Sequence, residues 1–230
     1  MKKFPTLFLT LIICLSSCTS LKNIALEPTS LETITAVKGV LDSSAFRAIN
    51  ALQKLNKEGL DGFIPPEFQS VLATLKTLGL EKEMDAINLK IGQVSKIMAE
   101  ESTGIMADAI KEVKFKDAVG IVLGEPNAAA NALKNGMYAA VKKRYSSKLE
   151  AELGKTEALK YWPMAAGAYN LFAKNKVDSS LSDFMAERAV DALFLTMGKE
   201  ESNIRKDPNQ LEKAVVSKVF DYYNKKKGKG

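Results

Sequence analysis

Apolar residues recur at helical spacing through most of the chain, and this periodicity constrains the fold more than any other feature. The clearest run is Met84, Ile87, Ile91, Val94 and Met98, in which steps of three and four residues alternate. Such spacing keeps one face of a helix apolar and is typical of packed helices. The sustained alternation of apolar and polar residues that would indicate strands does not occur. The sequence therefore predicts an all-α fold, organised as a single multi-helix, bundle-like domain.

Capping signals predict where several of these helices begin. Thr29 and Glu32 have the spacing of a capping box, which opens a long first helix. Pro66 is suited to the first position of the second helix because a proline there sacrifices no hydrogen bond. Asn127 is a residue type that can cap the alanine-rich helix that follows it.

Glycine and proline predict where helices break. We expect Ser102–Gly104 to kink or interrupt the third helix, and Pro163 to interrupt a later one. Asp207 followed by Pro208 is typical of a cap and first helical position, and it predicts the start of the last helix. The residues expected to face inward from that helix are Leu211, Val215, Val219 and Tyr222.

The first seventeen residues have the order of a secretory signal peptide. Lys2 and Lys3 give a positive start, an apolar core covers residues 7–15, and Ser16 and Ser17 follow. The apolar run is shorter than the roughly 20 residues that a membrane-spanning helix needs, and no later stretch comes closer. We therefore expect this leader to be cleaved and the mature chain to contain no transmembrane helix.

The small residues before Cys18 resemble the bacterial lipobox. The resemblance implies that the Cys18 thiol receives a diacylglycerol, that the leader is cut off and that the new amino terminus is acylated, which gives stable membrane attachment. A plain signal peptide with a free Cys18 is the alternative. Since Thr19 stands where enteric lipoproteins of the inner membrane carry Asp, we expect an outer membrane lipoprotein that faces the periplasm rather than an inner membrane protein.

These signals divide the chain into a signal peptide at 1–17, a tether at 18–28, an all-helical domain at 29–224 and a Lys-rich tail at 225–230. The formal charge of +6 comes from the leader and the tail, so the body is neutral by count. Because export also separates the protein from nucleic acid, we expect no nucleic-acid partner. The tail is expected either to be solvated and disordered or to touch anionic headgroups.

The chain contains no His, and its two Cys are Cys14 in the leader and Cys18. A mature domain without a free thiol or an imidazole has no disulfide, no His-based zinc site and no Ser-His-Asp or Cys-His catalysis. We expect neither a cofactor nor a metal. Any catalysis would depend on carboxylates, Lys, Tyr or Ser.

A helix is predicted from Leu181 to Arg205, with apolar residues on two sides. Val190, Leu193 and Met197 share one side, while Phe184 and Leu195 lie nearly opposite. A helix that is apolar on two sides belongs at the centre of a domain.

Between those two sides, Asp183, Glu187 and Asp191 recur every four residues and form one acidic stripe. One interpretation is a solvated stripe with interhelical ion pairs. Another is that a carboxyl with a raised pKa and a partner carboxylate act as acid and base, as in glycoside hydrolases. A divalent-cation site is a third, which a straight helical stripe without EF-hand spacing does not favour.

The same region carries the most specific pattern in the chain. It reads Leu181-Ser-Asp-Phe-Met-Ala-Glu-Arg-Ala-Val-Asp-Ala-Leu-Phe194, and later Glu200-Glu-Ser-Asn-Ile-Arg-Lys-Asp-Pro208. This resembles domain of unknown function 4197, a family of bacterial exported proteins. Further matching pieces extend the resemblance over roughly Ser30 to Phe220, namely Gly62-Phe63, Leu78-Gly79-Leu80, Asp108–Lys111, Asp117–Ile121, Tyr169-Asn170 and Lys218–Phe220.

The chain departs from the family pattern at two places. Family members carry Thr-x-Tyr-Phe where this chain has Ala130–Leu133, and they usually end soon after the position of Phe220, so the Lys-rich tail is particular to this chain. The resemblance implies a helical exported domain and no reaction.

Together these observations predict a non-catalytic, membrane-tethered domain that binds or scaffolds a periplasmic protein or another cell-envelope partner. A first alternative is a carboxylate-dependent hydrolase of cell-wall glycans, with Asp183, Glu187 or Asp191 as acid and base. A second is a carrier of a small apolar ligand near Trp162, where Tyr161 and Tyr169 also lie close to Pro163. Packing of these aromatic residues against one another is the other interpretation of that cluster.

Overall fold

The computed structural model describes residues 26–57, 66–154 and 158–228. Its helices are α1 (Ser30–Lys57), α2 (Pro66–Thr77), α3 (Glu81–Glu112), α4 (Ala118–Leu123), α5 (Ala128–Leu153), α6 (Ala158–Phe172), α7 (Leu181–Lys206) and α8 (Ala214–Lys227), with a short 3₁₀ turn at Pro208–Leu211. No strand occurs in these ranges. The predicted all-α fold is confirmed, whereas the leader, Cys18 and Lys229 lie outside the described residues.

Helix α7 lies at the centre of the domain, packed mainly against α1 and α5. Helices α3 and α8 also pack on α1, and α3 contacts α5. Both predicted sides of α7 contribute to the core, since Leu193 and Phe184 are both buried. The prediction is wrong for Leu195, which is 63% exposed and faces solvent.

Helix α6 joins this core through its tryptophan. Trp162 is fully buried, with Phe68 stacked against it at 5.5 Å between ring centroids and Phe184 at 5.1 Å. Its indole N–H donates to the Asp178 carbonyl at 3.0 Å, so the polar atom of the ring is satisfied. The aromatic cluster ties α2, α6 and α7 together.

Several predicted boundaries are correct. Pro66 is the first residue of α2, and Gly79 adopts the left-handed conformation (φ +77°) that commonly ends a helix. The capping box is present in both directions, because the Glu32 N–H donates to the Thr29 hydroxyl at 3.2 Å and the Thr29 N–H donates to the Glu32 carboxylate at 2.9 Å.

The predicted breaks in α3 and α6 do not occur, because both segments are helical throughout. In α3, the Ser102 hydroxyl donates to the Met98 carbonyl at 2.6 Å and accepts from the Tyr145 hydroxyl at 2.6 Å, so a buried polar contact reinforces the helix there. In α6, Pro163 follows Trp162 within the helix. Proline forfeits one backbone hydrogen bond at that point, and the burial of Trp162 and Ala166 on either side holds the helix together.

The C-terminal segment differs from the prediction in three ways. Asp207 does cap a turn, accepting from the Asn209 N–H at 3.2 Å, but the turn is 3₁₀ and ends where Glu212 adopts a positive φ of 52°. Helix α8 begins after it, and its buried face consists of Val216, Val219, Phe220 and Tyr223. The helix continues to Lys227, so Lys225–Lys227 form its last turn rather than a disordered tail.

The N-terminus of α1 provides a testable pH effect. Three hydrogen bonds, first of all one donated by the Lys218 ammonium and then those from Thr29, lower the pKa of Glu32 from 4.5 to about 2. Since the folded pKa lies below the unfolded one, the stabilisation is complete above about pH 4.5 and is lost as the pH falls toward 2. We expect a carbon-13 titration of the Glu32 carboxyl to show a midpoint near 2. Lys218→Gln should raise that midpoint, and an unchanged midpoint would contradict the assignment.

Candidate functional site

The acidic stripe of α7 faces α5, where a complementary row of side chains meets it. Asp183 accepts from the Ser146 hydroxyl at 2.6 Å. Farther along the interface, the Lys142 ammonium lies 2.5 Å from the Glu187 carboxylate, and the Lys134 ammonium lies 3.2 Å from that of Asp191. The partners, Lys134, Lys142 and Ser146, share one side of α5 because they are spaced by multiples of four residues. The three carboxylates therefore form an interhelical ladder.

The surroundings of Asp183 favour the ionised form of this carboxyl. The hydrogen bond from Ser146 is the main cause that lowers the pKa of Asp183, with smaller contributions from Ser180 and Lys142. A general acid at neutral pH needs the opposite shift. Burial, followed by the charge of Asp191, raises the pKa of Tyr138 on α5 to about 12, so this phenol stays protonated at neutral pH.

The ladder is also too extended to surround an ion. At about 1.5 Å of rise per residue, Asp183 and Asp191 are separated by about 12 Å along the helix axis. Among the described residues, no group of three or more carboxylates is arranged to hold a metal ion.

Farther along α7, Glu201 is fully buried and caps the N-terminus of α5. Its two carboxylate oxygens accept from the backbone N–H groups of Ala129 at 2.9 Å and Ala130 at 2.7 Å. These N–H groups lack partners within their own helix, and the positive end of the helix dipole favours a carboxylate there. A side chain from a distant part of the sequence thus completes the end of α5.

Arg205 completes this buried network. Its guanidinium lies 2.7 Å from Glu201 and also donates to the carbonyls of Ile121 at 2.9 Å and Val122 at 2.8 Å. Those carbonyls lie in the last turn of α4, where helical acceptors lack their usual partners, although the Ile121 carbonyl also accepts from the Gly124 N–H at 3.3 Å. The guanidinium also lies 5.1 Å from the ring centroid of Phe220, so the network joins α4, α5, α7 and α8.

The prediction that Asn127 caps α5 is therefore wrong, since its side chain makes no capping hydrogen bond. Asn127 stands at the N-cap position, but the acceptor oxygens there are the two of the Glu201 carboxylate, which also brings a full charge. The sequence does show that Glu201 and Arg205 are four residues apart on one helix, which predicts an ion pair. Their other partners are more than seventy residues away, and nothing in the local pattern indicates them.

A groove of about 550 Å³ opens beside the cap, between the N-terminus of α5 and the middle of α7. Its floor includes Gly198, where an added Cβ would lie only 3.3 Å from that of Asn127, so the two helices approach closely here. Leu195, the exposed residue of α7, contributes an apolar wall. The residues that line it are Pro126, Asn127, Asn131, Lys134, Phe194, Leu195, Gly198, Lys199, Ser202 and Asn203.

The groove is rich in polar side chains that have no partner. Within the described part of the chain, the side chains of Asn127, Asn131, Lys199, Ser202 and Asn203 form no hydrogen bond or ion pair. No carboxylate lines it, and Lys199 gives it a positive charge, whereas the charge of Lys134 is paired with Asp191. It can accordingly offer donors to a negatively charged or hydroxylated molecule.

Trp162, the centre of the predicted apolar-ligand site, lies elsewhere and is not part of this groove. Both faces of its ring are covered by aromatic rings and none of its surface is exposed. For Trp162, the structure therefore agrees with the other interpretation of the aromatic cluster, which is packing in the core.

Fold and site together define an all-α domain in which charged side chains connect helices. The chain belongs to the family described as "Protein of unknown function (DUF4197)", whose family model matches residues 27–221. No curated protein and no solved structure matches the chain significantly. Among the described helices, none combines the length and apolar character needed to cross a membrane.

Proposed function

We propose that the protein is a lipid-anchored, non-catalytic binding domain of the bacterial cell envelope, held at the outer membrane by acylated Cys18 and facing the periplasm. The anchor is supported by the lipobox-like order of Leu15, Ser16, Ser17 and Cys18 after an apolar leader. The absence of catalysis is supported by the ladder, in which Asp183, Glu187 and Asp191 each bind a partner on α5.

The single observation that carries the binding role is the groove between α5 and α7. Asn127 and Ser202 are half-buried and their side chains have no partner among the described residues. Polar groups in such positions are ordinarily paired, so this concave surface favours a ligand. Lys199 favours negative charge, Asn127 and Asn131 suit hydroxyl or amide groups, and Leu195 suits an apolar face. Cell-wall muropeptides combine carboxylates, hydroxyls and acetamido groups, and they are therefore the probe of choice.

The binding role is tested by titrating a soluble disaccharide-tetrapeptide muropeptide into the protein while recording amide resonances by NMR. We expect shifts at Asn127, Asn131 and Ser202. Lys199→Glu should weaken binding at least about tenfold, which corresponds to about 1.4 kcal/mol. The matched control is Lys96→Glu, since Lys96 is exposed on α3 and has no ion pair among the described residues. Equal affinities for the two variants would contradict the assignment of the groove.

The anchor is tested separately in cells fed an alkyne-bearing palmitate. The wild-type protein should be labelled, and Cys18→Ser should abolish the label because the thioether that starts processing cannot form. Cys14→Ser is the matched control, since Cys14 leaves with the leader and its loss should not affect labelling. Label that persists in Cys18→Ser would rule out lipidation at this residue.

A further inference from the structure

The N-terminal residues of the domain and the lysines of α8 meet at one end of the molecule. Helix α8 runs antiparallel to α1, so that Lys213 near its start donates to the Gly39 carbonyl at 3.1 Å. At its other end, the Lys226 ammonium lies 3.8 Å from the Glu27 carboxylate. We call this end the anchor pole and define it as residues 26–27, helix α4 and Lys225–Lys227.

Helix α4 belongs to the anchor pole because the Lys227 ammonium donates to the Leu123 carbonyl at 3.3 Å. Exposed apolar side chains occur here beside the exposed lysines. Leu26 is 75% exposed, Leu123 38% and Val119 36%. Apolar side chains that enter the interface, surrounded by lysines that reach phosphate groups, are the composition of surfaces that lie on anionic membranes.

The tether keeps the anchor pole near the bilayer if Cys18 is acylated. Eight residues of chain lead from Cys18 to Leu26, and even fully extended they reach no farther than about 29 Å. The opposite end of α1 is about 42 Å away, because a helix of 28 residues rises about 1.5 Å per residue. Of the two ends of the domain, the anchor pole is therefore the one held next to the headgroups.

We propose that the anchor pole docks on anionic phospholipid headgroups of the leaflet that holds the Cys18 anchor, with Lys225, Lys226 and Lys227 on the phosphates and Leu26 and Leu123 in the interface. This inference rests on the anchor of the proposed function. The anchor pole contains one carboxylate, Glu27, which is already paired with Lys226, and exposed Asp117 and Glu125 flank helix α4.

Docking in this way would set the position of the groove. The groove begins at Pro126, three residues after Leu123, and so lies within about 11 Å of the anchor pole. The domain would then present its ligand close to the membrane surface.

The test uses the mature chain from Thr19 onward, which contains every described helix and omits the acylated residue. Its sedimentation with phosphatidylglycerol vesicles is compared with that for phosphatidylcholine vesicles. We expect binding to the anionic vesicles alone, weakened as salt rises. Replacement of Lys225, Lys226 and Lys227 by Gln should reduce the affinity at least tenfold.

The matched control replaces Lys82, Lys96 and Lys174 by Gln. These lysines are exposed, have no ion pair among the described residues and lie outside the anchor pole, so the net charge changes equally. If both triple variants lose the same vesicle affinity, the effect depends on net charge alone and the proposal is overturned. Equal binding of the wild-type protein to both vesicle types would also overturn it.

A second measurement uses the lipidated protein in its own membrane. Acetylation of lysines in isolated membranes, quantified by mass spectrometry, should be at least fivefold slower at Lys225–Lys227 than at Lys82 and Lys96. Equal rates would overturn docking even if Cys18 is labelled with palmitate. Conversely, vesicle binding by the chain from Thr19 would survive a failure of the lipidation test, so the two proposals fail separately.

Discussion

Arg205→Met is expected to lower the free energy of unfolding by about 3–5 kcal/mol, the loss typical of breaking a buried ion pair. The substitution leaves the fully buried Glu201 carboxylate without its cation, removes the donor of the Val122 carbonyl and leaves the Ile121 carbonyl with the Gly124 N–H alone. Methionine keeps most of the side-chain volume, so the loss reports the polar contacts rather than a cavity. Urea denaturation followed by circular dichroism measures it.

The control for this prediction is Lys148→Met, which removes an exposed ion pair with Glu101 at 3.0 Å. Exposed pairs contribute about 0–1 kcal/mol, so this variant should be close to wild type. The double variant Glu201→Met with Arg205→Met should be less destabilised than the sum of the two single variants, because it leaves no unpaired charge. Additive losses would mean that the two residues act independently, against the network described here.

Trp162→Ala is expected to cost about 3–5 kcal/mol through the cavity left between Phe68 and Phe184. Three helices lose their shared contact, since the ring lies among α2, α6 and α7. Thermal denaturation should show the loss as a lower melting temperature. Phe172→Ala on the same helix is the matched control, because that ring is 92% exposed and should change stability by less than about 0.5 kcal/mol.

Trp162 is the only tryptophan in the chain, so its fluorescence reports directly on this cluster. The wild-type protein should emit at short wavelength and resist quenching by iodide, as a fully buried indole does. A red-shifted, readily quenched emission, or a loss below about 1 kcal/mol in Trp162→Ala, would contradict the role of the ring as a core residue.

The helical fold follows directly from local pattern. The local signals that predict the observed structure are the capping box at Thr29, the proline start of α2 and the seam from Met84 to Met98. The first two lie within one turn of chain, and the seam extends over about four turns. Leu195 fits the same helical pattern but is exposed and lines the groove between α5 and α7. Periodicity assigns a side of the helix, but it does not show whether a neighbouring element covers that side.

The breaks predicted at Ser102–Gly104 and Pro163 do not occur, because tertiary packing outweighs the low helix propensity of glycine and proline there. A glycine in a helix costs about 1 kcal/mol and a proline about 3 kcal/mol relative to alanine. Ser102 gains a buried hydrogen bond from Tyr145, and the residues on both sides of Pro163 bury an indole and two alanine side chains. Contacts of this kind join residues that are far apart in sequence, so no local window contains them.

The candidate site likewise combines features that the local sequence predicts with tertiary contacts that it does not. The acidic stripe of Asp183, Glu187 and Asp191 is visible in the sequence, and the ion pairs with α5 are one of its predicted interpretations. The capping of α5 by Glu201 is tertiary and could not be predicted, although Glu201 and Arg205 lie in the segment that carries the family resemblance. In that segment, Glu201 and Arg205 connect α7 to α4, α5 and α8.

The most direct test of this account is incubation of the wild-type protein with purified peptidoglycan sacculi, followed by chromatography of the soluble products. A non-catalytic binding domain should associate with the sacculi and release no muropeptides above the buffer control. Release of muropeptides by the wild-type protein that is lost in a folded Asp183→Asn, Glu187→Gln, Asp191→Asn variant would contradict the account and establish these carboxylates as catalytic.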